Sequence, residues 1–386
     1  MKIVIMPSWY ESSENEQEGA FFRDQAEALY KAGNEVTVIV AHIVNWPYKD
    51  RKKWYKINEY NKRGIRVIYT KIPTFGLSSI SSVFFAMFTL FYQRLFNYFL
   101  RDSSADIIYA HSFWPAGYAA IKIKDKYGVP VVIQEHRSTI NNETIPKSSW
   151  EYLKKTVEQA DLFWAVSRHL KDVIEKKTHI FSKIDVMPNM VNPIFFERRD
   201  RKEHEKVIFL SIGNLIPIKK MDLLIETFKN TFLKDSELWI VGDGPERQKL
   251  QQIIDNNIGN KVRLLGKKNK AEIADLMNVS DIFVMVSESE TFGVVYIEAL
   301  AMGMPVVAAK NGGADDIIDC SNGILIDVNN KAQLKKALYN IRNQYVRYNT
   351  NEISKSCWNK YSSEVIVEKQ MHAFTNIVGH LKNEKE

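Results

Sequence analysis

The residues from 287 to 299 combine the groups that a phosphate-bearing ligand requires. They read Ser-Glu-Ser-Glu-Thr-Phe-Gly-Val-Val-Tyr-Ile-Glu-Ala and follow an apolar run that predicts a strand. A helix is predicted next, and its first free backbone N–H groups belong to Phe292, Gly293, Val294 and Val295. Such groups attract a phosphate together with the helix dipole. Gly293 carries no side chain, so a ligand could approach the backbone closely there.

Two carboxylates accompany this helix start. Glu290 precedes the predicted helix and Glu298 lies on it. A carboxylate at such a place can accept hydrogen bonds from the vicinal hydroxyls of a ribose. Two glutamates beside a helix are also common on an ordinary protein surface. The assignment therefore depends on the turns around them.

Further glycine-bearing turns end predicted strands in the same half of the chain. Gly213 and Gly242 follow two of these strands, and Gly312 with Gly313 follows a third. Because the carboxyl ends of parallel strands meet at one edge of a sheet, such turns can build one pocket. Lys219 lies just after the first turn and could offset the charge of a diphosphate.

The elements that position these residues alternate along the whole chain. In the first half we predict strands at 2–6, 35–41, 106–110, 130–134, 162–166 and 184–187, with helices at 21–32 and 116–127. After a charged segment at 198–206, interpreted as a surface linker, strands follow at 207–212, 237–241, 262–265, 282–286, 306–309 and 324–326. Helices are predicted at 221–232, 245–256, 270–279, 294–301 and from about 351. This pattern is typical of α/β proteins with doubly wound parallel sheets. Two such domains in tandem predict a ligand in the cleft between them.

Taken together, these motifs resemble glycosyltransferase family 4, the retaining, metal-independent sugar transferases of GT-B fold. The family's Glu-x(7)-Glu signature matches Glu290 and Glu298, and its Gly-Arg-Leu…Lys loop matches the segment from Gly213 to Lys219. Its Pro-Asn-Gly-Val turn is similar to the Pro-Asn-Met-Val sequence at 188–191. The resemblance covers nearly the whole chain.

The resemblance implies a GT-B architecture of two Rossmann-like doubly wound domains facing a cleft. The domains would span residues 1–195 on the acceptor side and 196–360 on the nucleotide-sugar side. A C-terminal helix within 361–386 would return to the N-terminal domain. The donor would be a nucleotide-sugar of the UDP or GDP type, and the acceptor a glycan or a lipid-linked molecule. The product would belong to cell-surface polysaccharide or glycoconjugate synthesis.

The resemblance also assigns roles to single residues. His136 would bind a hydroxyl of the donor sugar, Lys219 the diphosphate and Glu290 the transferred sugar, while Glu298 would hold the ribose. The donor-binding set implied in addition is Gly19, Gly213, Asn214, Lys220, Gly242, Phe292, Gly293, Val294 and Val295. His111 and Trp9 would lie on the acceptor or sugar side, although His111 could equally be a core histidine. No protein nucleophile, cofactor or metal is expected.

Two positions depart from the family pattern. Asn214 stands where the family has arginine, and Lys220 stands where it has a second loop glycine. One cation of the phosphate site is therefore replaced, and Lys219 or Lys220 must carry more of the diphosphate charge. The full sequence contains no Asp-x-Asp motif, which argues against a metal-dependent transferase of the other common fold.

Composition and charge restrict the class of protein further. The chain has 386 residues, two cysteines and a formal charge of +7, which excludes a disulfide framework and favours a reducing, cytoplasmic compartment. Residues 1–190 hold 26 basic and 20 acidic side chains, so +6 of the excess lies in the first half. Such an excess can attract an anionic membrane, nucleic acid or an anionic substrate, or belong to a solvated surface. A nucleic-acid role would need a recognisable module, and we expect none.

An aromatic segment leaves two alternatives open. A helix is predicted at 83–100, and its aromatic stripe could form core or lie on a bilayer. Eight basic residues lie just upstream: Lys49, Arg51, Lys52, Lys53, Lys56, Lys62, Arg63 and Arg66. We therefore expect a cytoplasmic enzyme with peripheral contact to the inner face of the cytoplasmic membrane as one possibility. Two other functions stay open: a nucleotide-sugar epimerase or phosphorylase of the same fold, and a non-catalytic binder of nucleotide-sugars or polyanions.

Overall fold

The computed structural model describes residues 1–11, 19–44, 55–73, 82–197, 205–231, 233, 235–255 and 261–383. The chain forms two compact units. Unit 1 comprises Met1–Pro188 and Ile366–Glu386, and unit 2 comprises Asn189–Val365. Most of the expected linker at 198–206 lies outside the described residues. The domain limits expected from the sequence stay a prediction.

Unit 1 is built on an eight-stranded sheet. Its strands are β1 Lys2–Pro7, β2 Glu35–Val44, β3 Asn58–Lys62, β4 Ile65–Pro73, β5 Ile107–His111, β6 Val131–Glu135, β7 Leu162–Ala165 and β8 Ile184–Val186. Their order is β3-β4-β2-β1-β5-β6-β7-β8, and every pair is parallel except β3 with β4. The chain order reverses direction between β1 and β5, which makes their carboxyl ends the ligand-binding edge of this sheet type.

Helices cover this sheet. They are α1 Ala20–Lys31, α2 Ser82–Phe99, α3 Tyr118–Tyr127, α4 Ser138–Asn141, α5 Lys147–Gln159 and α6 Arg168–Thr178. The inner strands β1, β5 and β6 are almost wholly buried, because helices exclude water from both faces of a parallel sheet.

The aromatic stripe of α2 is part of the core of unit 1. Phe84, Phe85, Phe88, Tyr92, Leu95, Phe96 and Phe99 are all buried. These side chains therefore pack in the core and do not face a bilayer, which corrects that alternative for the predicted helix at 83–100. Among the described helices, none is long and apolar enough to cross a membrane. Lys49, Arg51, Lys52 and Lys53 lie outside the described residues.

Unit 2 contains a six-stranded, fully parallel sheet. Its strands are β9 Val207–Ile212, β10 Ser236–Val241, β11 Val262–Gly266, β12 Ile282–Met285, β13 Val306–Ala309 and β14 Gly323–Ile326, in the order β11-β10-β9-β12-β13-β14. Its helices are α7 Met221–Lys229, α8 Arg247–Asp255, α9 Lys270–Asn278, α10 Val294–Ala301, α11 Lys331–Gln344 and α12 Thr350–Tyr361. This order is the doubly wound, Rossmann-type order, with its switch point between β9 and β12.

The last helix, α13 Ser363–Asn383, belongs to unit 1 from Ile366 onward. Phe374 is fully buried, and its ring lies 6.0 Å from that of Trp164. Gln370 is also fully buried, and its Nε2 donates to the hydroxyl of Tyr109 on β5 at 3.1 Å. The helix is therefore a structural part of unit 1 rather than a surface tail.

Candidate functional site

The switch point of unit 1 brings together the predicted residues of the first half. Pro7 on β1 lies opposite His111 on β5, and His111 lies opposite Gln134 on β6. Trp9 lies two residues after Pro7, and His136 lies two residues after Gln134. Trp9, His111 and His136 therefore lie at the same edge of the sheet. Residues at this edge are the ones that doubly wound sheets use to bind ligands.

The N-terminus of α1 closes one side of this group. The Phe22 ring centroid lies 5.1 Å from that of Trp9, 4.6 Å from His111 and 5.2 Å from His136. Gly19 precedes the helix at φ 65°, and a Cβ there would lie 3.0 Å from the carbonyl oxygen of Trp9. Glycine is thus required where α1 approaches β1. The structure brings Trp9, Gly19, His111 and His136 together.

The two histidines form a direct pair. His111 Nδ1 lies 3.1 Å from His136 Nε2, so one of these nitrogens carries the shared proton. His111 is fully buried, and burial, followed by the proximity of His136, holds the pKa of His111 well below its ordinary value. His111 is accordingly neutral at physiological pH, and its ring fixes the orientation of His136.

Glu135 is a buried carboxylate that holds the backbone around the histidines. Its Oε2 accepts from the N–H of Phe113 at 2.7 Å, and its Oε1 accepts from the N–H groups of His136 and Arg137 at 2.9 and 2.8 Å. Burial raises the pKa of Glu135, while these backbone donors oppose the rise. The sequence motif contains Glu135, but nothing in the sequence showed that it ties the ends of β5 and β6 together.

The neutral His111 predicts a pH dependence of stability. Below pH 6.5 an unfolded histidine takes up a proton, whereas buried His111 does not, so the unfolded state binds more protons and folding weakens as pH falls. This contribution amounts to at most about 1.4 kcal/mol per pH unit. In urea unfolding at pH 7.5, 6.5 and 5.5, His111→Gln should lose less stability on acidification than the parent chain does.

The exposed His380 supplies the control for this measurement. His380→Gln should keep the pH dependence of the parent chain, because its ring meets water in both states. If the free energy of unfolding of His111→Gln changed with pH as much as that of the parent chain, His111 would not resist protonation.

In unit 2, the turns after β9 and β10 meet backbone to backbone. Gly213 N–H donates to the carbonyl of Val241 at 3.0 Å, and Leu215 N–H donates to the carbonyl of Asp243 at 2.9 Å. A Cβ on Gly242 would lie 1.9 Å from the carbonyl oxygen of Gly213, so no side chain fits there. Gly213 and Gly242 thus shape the loop that leads to Lys219. Asn214 is exposed at the tip of this loop.

Lys219 and Glu290 form a close ion pair. Lys219 Nζ lies 2.5 Å from Glu290 Oε1, and the two side chains are only 18% and 12% exposed. The pair joins the turn after β9 to the loop after β12, across the switch point. Lys220 makes a separate and more exposed ion pair, with its Nζ 3.0 Å from Glu288 Oε2. The two lysines therefore do not share one carboxylate.

Lys220 occupies a backbone conformation that favours glycine. Its φ is 51°, in the left-handed region, where an L side chain costs about 1–2 kcal/mol. This explains why a glycine is usual at the corresponding position of the family that the sequence resembles. The replacement of Lys220 by glycine should relieve this strain and lose only an exposed ion pair worth about 0–1 kcal/mol.

We therefore expect Lys220→Gly to raise the free energy of unfolding by about 1 kcal/mol. Chemical denaturation checks this. Lys220→Ala is the matched variant, since it loses the same ion pair and keeps the positive φ, and it should be no more stable than the parent. If Lys220→Gly and Lys220→Ala had the same free energy of unfolding, the proposed backbone strain at Lys220 would be contradicted.

The start of α10 has the features of an anion site. Gly293 precedes it at φ 78°, no acidic residue occupies its first turn, and Val294 and Val295 are half-buried. Glu298 lies one turn further along the same helix, and Phe292, just before the helix, is buried. The N–H groups at the start of a helix attract phosphate.

Asn311 braces the loop that carries Glu290. Its carbonyl oxygen accepts from the N–H of Glu290 at 3.0 Å, and its Nδ2 donates to the hydroxyl of Tyr296 at 2.9 Å. Its Oδ1 accepts from the N–H of Ala314 at 3.0 Å. This residue belongs to the glycine turn noted in the sequence, but its bracing role depends on contacts that the sequence does not reveal. Within the described ranges, no three side chains of metal-binding type form a cluster.

Comparison with known families decides the identity of this arrangement. The profile described as Glycosyltransferase Family 4 matches residues 19–194, and the profile described as Glycosyl transferases group 1 matches residues 194–352. The chain belongs to glycosyltransferase family 4. The resemblance stated from the sequence is thereby confirmed, and the chain is a glycosyltransferase.

Relatives of this glycosyltransferase have diverse names. It is 29% identical to an uncharacterized glycosyltransferase of Methanocaldococcus jannaschii over 69% of this chain and 74% of that protein. It is 26% identical to the N-acetyl-alpha-D-glucosaminyl L-malate synthase of Bacillus anthracis, over 74% of this chain and 78% of that enzyme. It is also 26% identical to the putative teichuronic acid biosynthesis glycosyltransferase TuaC of Bacillus subtilis, over 88% of each chain.

Solved structures confirm the GT-B fold. Sucrose-phosphate synthase of Thermosynechococcus elongatus matches 98% of this glycosyltransferase and all of its own chain, with a TM-score of 0.78 and 16% identity. Anabaena HepE in complex with UDP matches 97% of this chain and all of its own, with a TM-score of 0.74 and 17% identity.

Proposed function

We propose that this glycosyltransferase moves a hexose-type sugar from a nucleotide-sugar, of the UDP or GDP type, to a glycan or lipid-linked acceptor, with retention and without a metal. The observation that carries the proposal is the Lys219–Glu290 ion pair beside the start of α10, with Glu298 one turn further on. Lys219 and the helix start match the diphosphate of such a donor. Glu290 matches its sugar, and Glu298 matches its ribose. The complex of Anabaena HepE with UDP is consistent with this ligand class.

The chemical requirement of the reaction is stabilisation of the leaving group. Negative charge grows on the phosphate as the glycosidic bond breaks, and preorganised donors lower the barrier most when they face that charge. In our proposal Lys219 and the N–H groups of Val294 and Val295 stabilise the leaving diphosphate. By resemblance to the family, Gly19 is also assigned to donor binding.

Unit 1 supplies the groups that handle the sugar and the acceptor. His136 binds a hydroxyl of the transferred sugar, and neutral His111 holds the His136 ring through the 3.1 Å contact. Trp9 lies beside the acceptor. We assign no protein nucleophile, because the leaving phosphate can help to deprotonate the acceptor on the same face of the sugar.

A nucleotide-sugar screen tests the proposal. UDP-, GDP- and ADP-sugars are screened by thermal shift, and release of the nucleoside diphosphate is then measured with candidate acceptors. Glu298→Ala should weaken nucleotide binding about tenfold, since it loses charge-assisted hydrogen bonds to the ribose. His136→Ala should lower turnover at least tenfold and leave nucleotide binding nearly unchanged.

The alternatives are distinct outcomes of the same screen. No binding of any nucleotide-sugar would overturn the proposal. Binding with interconversion of the sugar, or with phosphorolysis, would indicate an epimerase or a phosphorylase. Binding without any turnover across acceptors would indicate a non-catalytic binder.

The proposed setting is the inner face of the cytoplasmic membrane, within the synthesis of a cell-surface polysaccharide or glycoconjugate. With the α2 aromatic rings buried, this proposal rests on the +6 charge of residues 1–190. Flotation with vesicles of anionic and of neutral lipid tests it. Equal recovery of the protein from both vesicle types would remove the basis for membrane contact.

A further inference from the structure

Arg137 is held in an unusual position beside the histidine pair. Its guanidinium carbon lies 5.2 Å from the ring centroid of Trp9 and 5.4 Å from that of Trp114. Its Nε donates to the carbonyl oxygen of Trp114 at 3.1 Å. Two indole rings and one hydrogen bond therefore fix the guanidinium at the carboxyl edge of the unit 1 sheet, next to His136.

No carboxylate among the described residues forms an ion pair with Arg137. The nearest acidic side chain in sequence, Glu135, uses both oxygens for backbone N–H groups, including that of Arg137 itself. The two terminal nitrogens of Arg137, with four N–H donors, therefore make no hydrogen bond within the described part of the chain.

Two other arginines of unit 1, Arg23 and Arg66, show the ordinary arrangement of an ion-paired guanidinium. Arg23 Nη1 lies 2.5 Å from Glu11, and Arg66 pairs with both Glu59 and Asp102 at 2.8 Å. Arg137 differs because its position is fixed before any anion is bound. A planar, preorganised guanidinium with free terminal N–H groups is suited to bidentate recognition of a phosphate or a carboxylate.

We propose that Arg137 binds an anionic group, a phosphate or a carboxylate, carried by the acceptor. This inference rests on the proposed function, in which unit 1 is the acceptor side and Lys219 with the start of α10 serves the donor diphosphate. The +6 charge of residues 1–190 supports it, because such a field raises the local concentration of anionic molecules. Arg137 is then a specificity-determining residue that selects charged acceptors.

Phosphate binding by the full-length protein tests the inference. Inorganic phosphate is titrated and followed by the line width of its ³¹P resonance, with the nucleoside diphosphate found in the screen present at saturation to fill the donor site. Arg137→Met should raise the dissociation constant for phosphate at least tenfold. Arg137→Lys keeps the charge but loses the planar guanidinium. Its dissociation constant for phosphate should lie between those of the parent chain and Arg137→Met.

Arg101→Met is the matched control. Arg101 also lies over an aromatic ring, 5.4 Å from the centroid of Tyr98, and its replacement removes the same charge from the same unit. It should leave the phosphate affinity unchanged. Equal phosphate affinity in Arg137→Met and the parent chain, or an equal loss in Arg101→Met, would overturn the inference.

Nucleotide binding separates this inference from the proposed function. Arg137→Met should bind the nucleoside diphosphate as the parent does, which also shows that the variant is folded. A parallel loss of nucleotide affinity would place Arg137 on the donor and overturn the acceptor assignment. Failure of the proposed function would instead appear as absent nucleotide binding in the parent chain.

Discussion

Lys219→Met should lower kcat/KM for sugar transfer by about 10²–10³-fold, the range found when one preorganised group for developing negative charge is removed. Two effects combine. The leaving diphosphate loses its cation, and Glu290 is left as a poorly exposed carboxylate without the ammonium that lies 2.5 Å from it. A negative charge there that is no longer paired with Lys219 repels the donor phosphates. Steady-state kinetics with the donor from the nucleotide-sugar screen measures the effect.

Lys310→Met is the control for this prediction. Lys310 pairs with Asp327 at 3.1 Å, and both side chains are more than half exposed, so water screens this ion pair. This variant removes the same charge from unit 2 and should keep the parent activity. A Lys219→Met enzyme within threefold of the parent would show that the ion pair is structural and that the phosphate site lies elsewhere.

Gly242→Ala should destabilise the protein by more than about 3 kcal/mol, at the upper end of single substitutions. The added Cβ would lie 1.9 Å from the carbonyl oxygen of Gly213, and backbone cannot move aside as a flexible side chain can. The φ of 145° adds strain for any L residue. Thermal unfolding should show a large fall in Tm. Donor binding should fall as well, since the displaced turn leads to Lys219.

Gly128→Ala isolates the effect of strain from the effect of the clash. Gly128 also has a positive φ, 68°, but a Cβ there meets nothing within 4 Å. This variant should lose only about 1 kcal/mol. Similar losses in the two variants would contradict a close backbone approach between the β9 and β10 turns.

The fold was largely predictable because apolar runs and helical periodicity are local properties. The strands at 207–212 and 306–309 and the helix at 294–301 have the bounds that the pattern predicts. Strand β3 was missed because four of the five residues of Asn58–Lys62 are polar and the strand lies at the sheet edge. Helix α5 was missed because its buried face includes Ser149 and Thr156, which weakens the apolar pattern.

The sequence named the members of the candidate site, but it did not show the contacts among them. Lys219 and Glu290 are 71 positions apart, and each was expected to touch a different part of the donor. Their ion pair arises from the strand order, which places β9 beside β12. Arg137 stands next to His136 in the sequence, but its terminal nitrogens make no hydrogen bond among the described residues, because the Glu135 oxygens accept from backbone N–H groups.

The discontinuity of unit 1 affects how the protein is made. Ribosomal synthesis runs from the N-terminus, and contiguous domains fold as they emerge. Unit 2, Asn189–Val365, is contiguous and can complete its fold before the chain is finished. Unit 1 has to wait for Ile366 onward, because Gln370 and Phe374 pack against Tyr109. A nascent chain therefore keeps the buried surface of β5 incompletely covered until the last helix leaves the ribosome.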